Sequence, residues 1–429
     1  MPGLPAGPVP GLPGLAPGEK EGLPAGFAPG LKCEGVHDPM TLRAIWIGLG
    51  EAHGILWITA DCIGVSGPEV EQIRKRLEPF CKKTGCVAVN FSSSHTHGGL
   101  DTCGYWGKLP KTGMVKSYME QIYDTAVAVS VKAYESRKPG KLYVGRIHVP
   151  GGVYRRRYPL VTRDVLTRIR FAPNDGSTET WLLNFNAHPN TLGKENRRVS
   201  ADYPYFMRER ICEDRKVNVL FTVGAIGAAD IGNYDENDKW NRAELGGKAV
   251  GEAALKIEDE EMPCQVKLVR RTMLFPDDND TLTFLSLIGV VHAGKQPYAD
   301  SQTGFALEAE TTYIELGTQK ILCLSGELFC ELAYGGYSTA EESATGKGPE
   351  INPTPLAEIA DDENLIICGV TNGMTGYIIA PNDFIRREDE CCLSDTQDKF
   401  GRGHYHETNS ISVRCGGIVA DTLREMLEA

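Results

Sequence analysis

Two histidines separated by one residue, His95 and His97, follow an apolar run at residues 87–91 that is typical of a buried β-strand. Side chains alternate along extended backbone, so imidazoles at positions i and i+2 would point to the same side. Such a pair can share a metal ion, or one ring can bind the metal while the other transfers a proton. The alternative is a polar loop with two solvated histidines, and these residues alone do not decide between the two.

Three later residues offer metal-binding atoms at similar places in the chain. His188 precedes Pro189, which restricts the backbone of His188 to extended conformations, and Glu327 and Tyr377 stand beside further apolar runs. A carboxylate directly after a buried strand is costly unless it is paired or binds a cation. Two imidazoles, a carboxylate and a phenol suit Zn²⁺, which accepts nitrogen and oxygen ligands. A lone histidine such as His188 is more often a hydrogen-bonded structural residue, so both interpretations stay open here.

A cationic cluster and a loop of small residues are further candidates. Residues 154–158 read Tyr-Arg-Arg-Arg-Tyr in an otherwise acidic protein. Because planar guanidinium groups bind carboxylates with paired hydrogen bonds, Arg155 and Arg156 are predicted to bind substrate; the alternative is a solvated face with salt bridges. The loop around Asp230 and Gly232 is rich in glycine and alanine, which lets its backbone approach a ligand closely. It lacks the third glycine of a dinucleotide-binding fingerprint.

Apolar periodicity predicts the elements that must position these residues. Strands at 54–59 and 87–91 flank a helix that begins at residues 66–68, which together predict a β-α-β unit with parallel strands. His95 then lies at the carboxyl end of a strand, where functional groups collect in such units. The other predicted elements that bear on the fold are a helix at 115–137, antiparallel strands at 166–171 and 180–186, a strand at 282–291, and a hairpin of 311–316 and 321–324.

Length and composition limit the classes of protein to consider. The 429 residues allow two or three ordinary domains or one large α/β domain with insertions, and 41% hydrophobic and 24% charged residues are typical of a globular protein. We interpret the predicted elements as one α/β domain with a mixed β-sheet core flanked by helices. We place that domain at residues 35–429, after a Pro/Gly-rich arm at residues 1–34. A net charge of −12 argues against nucleic acid as a partner, and no apolar run is long enough to predict membrane insertion.

Cysteine usage and the N-terminal residues predict the compartment. The thirteen cysteines are scattered without CxxC pairs, and the N-terminus lacks a cationic start followed by an apolar core. Both features favour a reducing cytoplasm in which thiols act as small core residues. Homo-oligomerisation is compatible with the sequence but is not predicted by any feature of it.

The order and surroundings of these residues resemble the catalytic domain of the neutral (non-lysosomal) ceramidases. That family has a strand running into His-Thr-His, a later His-Pro, a Gly-Glu, and an Asn-x-x-x-x-Tyr segment. In this chain the matching segments are 95–97, 188–189, 326–327 and 372–377. The resemblance implies that His95, His188, Glu327 and Tyr377 bind zinc and that His97 handles a proton.

The chain departs from that family at two positions. The family's catalytic serine corresponds to Gly232, and His406 stands where the family has an oxyanion-stabilising tyrosine, with Tyr405 beside it. Without a side chain at Gly232 to act as nucleophile, attack is expected from metal-activated water, with extra room for substrate beside the metal. Asp61, Asp202 and Asp230 are candidates for the outer partners that orient the imidazoles.

These observations predict a zinc-dependent hydrolase that cleaves an amide bond of a small, soluble and anionic substrate. His406 or Tyr405 would stabilise the oxyanion. An ester or lactone hydrolase on the same scaffold is the alternative reaction. A metal-binding protein without catalytic activity, and a transferase or lyase that polarises a carbonyl with the same metal, are the alternatives from other classes.

Overall fold

A computed structural model describes residues 2–3, 25, 30–50, 53–385 and 397–429. Its strands are β1 (Pro2–Gly3), β2 (Gly35–Val36), β3 (Leu42–Leu49), β4 (His53–Ala60), β5 (Cys86–Ser93), β6 (Lys138–His148), β7 (Val153–Arg155), β8 (Val165–Pro173), β9 (Glu179–Phe185), β10 (Arg198–Val199), β11 (Val217–Val223), β12 (Ala229–Ile231), β13 (Asp259–Met262), β14 (Val266–Pro276), β15 (Lys295–Pro297), β16 (Phe305–Leu316), β17 (Gln319–Leu324), β18 (Glu327–Leu328), β19 (Ile366–Cys368) and β20 (Tyr377–Ile378). Its α-helices are α1 (Gly67–Thr84), α2 (Lys116–Glu135), α3 (Tyr203–Asp214), α4 (Lys239–Lys256), α5 (Asp280–Leu287), α6 (Cys330–Tyr334), α7 (Leu356–Ile359) and α8 (Cys415–Leu427).

Three sheets share one central apolar core. The sheet β3-β4-β5, the sheet built on β6-β8-β9-β11 and the sheet built on β14-β16-β17-β19 each contribute buried side chains to it, including Trp57, Leu220 and Ile321. The opposite face of each sheet is covered by helices: α1 and α2 on the first, α3 and α4 on the second, α6 to α8 on the third. Parallel and antiparallel pairs occur in each of these sheets. The predicted mixed sheet core flanked by helices is confirmed.

Each of the three sheets contains a parallel pair whose carboxyl ends lead into the candidate residues. The pairs are β4 with β5, β9 with β11, and β17 with β19. His95 follows β5, His188 follows β9, and Glu327 and Tyr377 follow β17 and β19. Backbone bridges tie these ends together, between Ser92 and Thr371 and between His188 and Asp230. The three sheets therefore deliver polar side chains to one place.

Most predicted elements are present, and two segments differ from the secondary structure that the sequence predicts. The β-α-β unit is confirmed, with α1 ending at Gly85 in left-handed conformation, and both predicted hairpins form. The strand predicted at 282–291 is wrong: this segment contains the helix α5, because the Asn279 side chain accepts the Leu282 N–H and caps a helix start. The predicted helix at 115–137 ends at Glu135, and Pro139 lies inside β6.

Much of the predicted arm at residues 1–34 lies outside the described residues, and the domain boundary at residue 35 stays a prediction. Within the arm, Pro2 and Gly3 pair with β6. None of the helices in the described part of the chain is long and apolar enough to cross a membrane.

Candidate metal centre and active site

His95 and His97 converge, although not by the predicted route. His95 has a positive φ of 60°, so the backbone here is left-handed and not the extended strand that the spacing predicts. The turn nevertheless brings the two Nε2 atoms within 3.4 Å of each other. His95 is 1% exposed, and its Nδ1 donates to the carbonyl of Ile63. A non-glycine residue in this conformation costs about 1–2 kcal/mol, so the surrounding contacts must impose it.

His188 completes a group of three imidazoles. Its backbone pairs with Asp230, and its Nδ1 donates to the carbonyl of Ile226 at 3.2 Å. Its ring centroid lies 4.5 Å from that of His95 and 5.1 Å from that of His97. One nitrogen from each ring lies within 4.8 Å of the others, which is close enough for all three to surround one metal ion.

Glu327 and Tyr377 meet through strand register. The short strands β18 and β20 run parallel, with Glu327 opposite Tyr377, and the Glu327 N–H donates to the Gly376 carbonyl at 2.9 Å. The phenol of Tyr377 hydrogen-bonds to the Glu327 carboxylate. Glu327 Oε2 lies 3.3 Å from Nε2 of both His95 and His188. The four residues predicted to bind metal are therefore together.

The donor set at this point fits a bound cation. Because Nδ1 of His95 and of His188 each donates to a carbonyl, each ring presents the Nε2 lone pair to Glu327. Among the described residues, His188 Nε2 and Glu327 Oε2 are buried and have no hydrogen-bond partner. Buried acceptors that face one another are costly unless a cation or a proton lies between them. Two imidazole nitrogens with carboxylate and phenol oxygens are ligands that Zn²⁺ accepts.

Burial favours the neutral forms of His188 and Tyr377. Desolvation, followed by the neighbouring His95 and His97, holds the pKa of His188 well below its usual value, so the ring is neutral, the form that binds metals. Burial, followed by the Glu327 carboxylate, raises the pKa of Tyr377 well above its usual value. The phenol therefore keeps its proton unless a cation offsets these two effects.

His406 and Tyr405 lie beside this centre. Their rings stack at 3.9 Å, and the centroid of His406 is 4.9 Å from that of Tyr377. His406 Nδ1 lies 3.4 Å from Nη1 of Arg157; because a guanidinium only donates, this nitrogen accepts and Nε2 carries the proton. Nε2 is buried without a partner among the described residues. Burial, then the Arg157 charge, lowers the pKa of His406 well below its usual value, so a neutral ring presents an unused N–H donor.

Asp230 does not hydrogen-bond an imidazole through its side chain. Its Oδ1 accepts from Asn190 at 2.8 Å, and its Oδ2 forms an ion pair with Nε of Arg156. The other two carboxylates predicted to orient imidazoles are also engaged elsewhere: Asp61 with Thr41 and Arg208, and Asp202 at the start of α3. The structure therefore corrects the expectation that these aspartates orient the imidazoles, because backbone carbonyls do so. Every residue has a backbone carbonyl, so this role cannot be recognised from the sequence.

Two of the residues predicted to contact substrate, Arg155 and Gly232, are not placed to do so. Arg155 is 3% exposed and pairs with the buried Glu331 at 2.7 Å, so its charge is used inside the fold. A Cβ at Gly232 would overlap the carbonyl oxygen of Gly151, so this position faces backbone and leaves no room for substrate. Arg156 alone of the three arginines is largely exposed, at 55% of its side chain.

Comparison with solved structures finds proteins of similar fold, whereas the two other comparisons find no match. No family model matches the chain, and no curated protein matches it. The crystal structure of a neutral ceramidase from Pseudomonas aeruginosa is similar with a TM-score of 0.73 and 14% identity, covering 99% of this chain and 73% of that one. A ceramidase complexed with C2 is similar with a TM-score of 0.72 and 12% identity, covering 99% of this chain and 74% of that one. The chain therefore has a neutral-ceramidase-like fold over nearly its whole length.

Proposed function

We propose that the chain is a zinc-dependent hydrolase that cleaves an amide bond of a small-molecule substrate. The observation that carries this proposal is the meeting of buried acceptors, with Glu327 Oε2 at 3.3 Å from Nε2 of both His95 and His188. The fold favours an amide over other carbonyl compounds, since the similar structures are ceramidases and ceramide is an amide. A cytoplasmic location is proposed with it, and the cysteines in the described part of the chain are free thiols.

In this proposal His95, His188, Glu327 and Tyr377 hold the ion. A zinc ion held by these residues would act as a Lewis acid, which would polarise a carbonyl and activate water for attack on it. The Nδ1–H bonds of His95 and His188 to carbonyls would fix the two rings in the orientation that presents Nε2.

The other residues act on protons and charge. His97, whose Nε2 lies 3.4 Å from that of His95, would carry a proton to the leaving nitrogen. The Nε2–H of His406 and the phenol of Tyr405 would donate to the developing oxyanion. Burial, then the Asp230 carboxylate, raises the pKa of Tyr405 to about 12, so this phenol is protonated at neutral pH. Asp230 would orient Arg156 through their ion pair.

The test is elemental analysis combined with a hydrolase screen. The purified protein is expected to contain a full equivalent of zinc and to cleave an amide when zinc is added back after chelation. His95→Ala and His188→Ala should each lose the zinc and the activity. His148→Ala is the matched control, because that ring is 75% exposed and pairs with Asp164 away from the centre. Zinc retained in full by both ligand variants would contradict the site, and cleavage of esters or lactones without amides would contradict the reaction.

A further inference from the structure

The segment that carries the three arginines alternates strictly between buried and exposed positions. Tyr154, Arg156, Tyr158 and Leu160 are exposed, whereas Arg155, Arg157 and Pro159 between them are buried. The two buried arginines form ion pairs with Glu331 and Glu407. Arg156 pairs with Asp230 through Nε, and 55% of its side chain is exposed. One arginine beside the candidate centre is therefore able to meet a ligand.

A polar cavity adjoins Arg156. Its volume is about 170 Å³, and its lining includes Arg156, Arg157, Tyr158, Asp383, Arg402 and His404. This volume is too small for a whole drug-sized molecule and suits one small polar group of a larger ligand. The guanidinium of Arg402 lies 4.8 Å from the ring centroid of Tyr158, and its Nε donates to Asp398 at 2.5 Å. A ring and a carboxylate therefore hold Arg402 in place at the wall of the cavity.

Two buried atoms of the lining lack partners among the described residues. They are Nε of Arg157, a donor on a residue that is 5% exposed, and Oδ2 of Asp383, an acceptor on a residue that is 2% exposed. Each such atom left unpaired costs free energy.

Three of the side chains that line the cavity are arginines. The carboxylates that balance Arg156 and Arg402 lie behind them, since the side chains of Asp230 and Asp398 are 5% and 0% exposed. The cavity also lies beside the candidate centre. Arg157 in its lining is 3.4 Å from His406 Nδ1, and the His406 ring centroid is 4.9 Å from that of Tyr377. A substrate at the centre could therefore extend into the cavity.

We propose that the cavity binds the amine half of the substrate and that this half carries a carboxylate, which makes N-acyl amino acids the substrate class. The proposal rests on the amide hydrolase function proposed above. The carboxylate pairs with Arg156 and Arg402. Hydrolysis breaks the C–N bond, adds the hydroxyl of water to the acyl carbon and its proton to the nitrogen, and releases a carboxylic acid and a free amino acid.

Binding and turnover test the proposal separately. The binding pair is N-hexylsulfonylglycine and N-hexylsulfonylethanolamine, which keep the N–H, resist hydrolysis and differ in carboxylate against hydroxyl. With the zinc-loaded protein, calorimetry should show about tenfold or more tighter binding of the glycine compound, as charge-assisted hydrogen bonds predict. Arg156→Gln and Arg402→Gln should each bring the ratio of the two Kd values toward one. Arg424→Gln, which removes an equally charged surface residue on α8, should keep the ratio.

Equal binding of the two compounds, or a ratio that survives both cavity variants, would overturn the carboxylate site. The kinetic arm compares kcat/KM for N-hexanoylglycine and N-hexanoylethanolamine and should show the same preference with the same dependence on Arg156 and Arg402. Hydrolysis of both amides at equal rates would also overturn it. Preferential binding without hydrolysis of either amide would instead count against the amide hydrolase function and leave the carboxylate site standing.

Discussion

Glu327 and Glu407 are both buried glutamates, 3% and 4% exposed, and they have opposite surroundings. The Glu407 carboxylate accepts hydrogen bonds from Arg157 through both oxygens, from His404 at 2.8 Å and from the Ile385 N–H at 3.1 Å. Glu327 Oε2 has no donor among the described residues and faces the acceptor nitrogens of His95 and His188. One carboxylate has all the partners it needs within the fold, and the other needs something that the fold does not supply.

The two glutamates are alike in residue type and burial, but their different hydrogen-bond partners indicate different roles. A buried charge with a full set of partners holds the structure together, and removing it exposes the partner to a desolvation cost. A buried acceptor that faces other acceptors is unfavourable by itself, and the fold must hold it there at a cost in stability. Such an arrangement is expected where a ligand binds. Changing each glutamate should therefore damage a different property of the molecule.

The largest expected effect comes from Glu327→Gln. Replacing the carboxylate should reduce metal affinity and turnover by more than about 100-fold, because even outer partners of metal ligands are worth that much. The glutamine amide can donate to a histidine Nε2, so the metal-free variant should unfold at the same temperature as the metal-free parent or at a higher one. Thermal unfolding after chelation, together with elemental analysis, measures both. A metal-free variant that is clearly less stable than the metal-free parent would contradict the conclusion that Glu327 is held in place at a cost in stability.

Glu407→Gln should do the reverse. It leaves the Arg157 guanidinium buried with an incomplete set of acceptors, which should lower the free energy of unfolding by about 3 kcal/mol. The zinc content of the folded protein should stay complete, because Glu407 does not contact the candidate ligands. Urea unfolding and elemental analysis are the measurements, and loss of zinc from a variant that remains folded would show that the two glutamates do not have separate roles.

The His406 ring has one nitrogen of each kind. Its Nδ1 is hydrogen-bonded, and its Nε2 has no hydrogen-bond partner among the described residues. His406→Phe removes the N–H donor and keeps a flat ring between Phe329 and Tyr377. We expect kcat to fall about 100-fold with little change in KM, the size typical of losing one oxyanion donor. Steady-state kinetics on an amide substrate decide this, and a variant that changes KM alone would assign His406 to substrate binding.

The smallest effect is in the pH dependence of stability. Burial by itself would raise the pKa of Glu407, but Arg157 and His404 together bring it below the usual value of 4.5. The stability that this group contributes is therefore complete above pH 4.5 and is lost as the pH falls toward the lowered pKa of the folded state. Between pH 6 and pH 3 the parent should lose more unfolding free energy than Glu407→Gln does. Identical pH profiles in urea unfolding would contradict the assignment.

The sequence predicted the fold class and the meeting of His95, His188, Glu327 and Tyr377, because each follows or begins a recognisable strand and the order resembles a known family. It did not predict the left-handed backbone at His95, where neither a glycine nor an asparagine marks the turn. It also did not predict that Arg155 and Arg157 are buried, because their partners Glu331 and Glu407 come much later in the chain. The helix α5 was missed because its apolar residues form a continuous run that resembles a buried strand, although Phe284 and Leu287 are exposed.

The candidate ligands come from three different sheets and are separated along most of the chain. An ion held by all of them would act as a cross-link between distant segments, so its affinity would report on the packing of the whole molecule and not on a local motif. A destabilising substitution far from the centre should weaken metal retention in proportion to the population of molecules that open. Metal depletion in the cell would then select against marginal variants anywhere in the fold, and metal supply would limit the sequences that this scaffold tolerates.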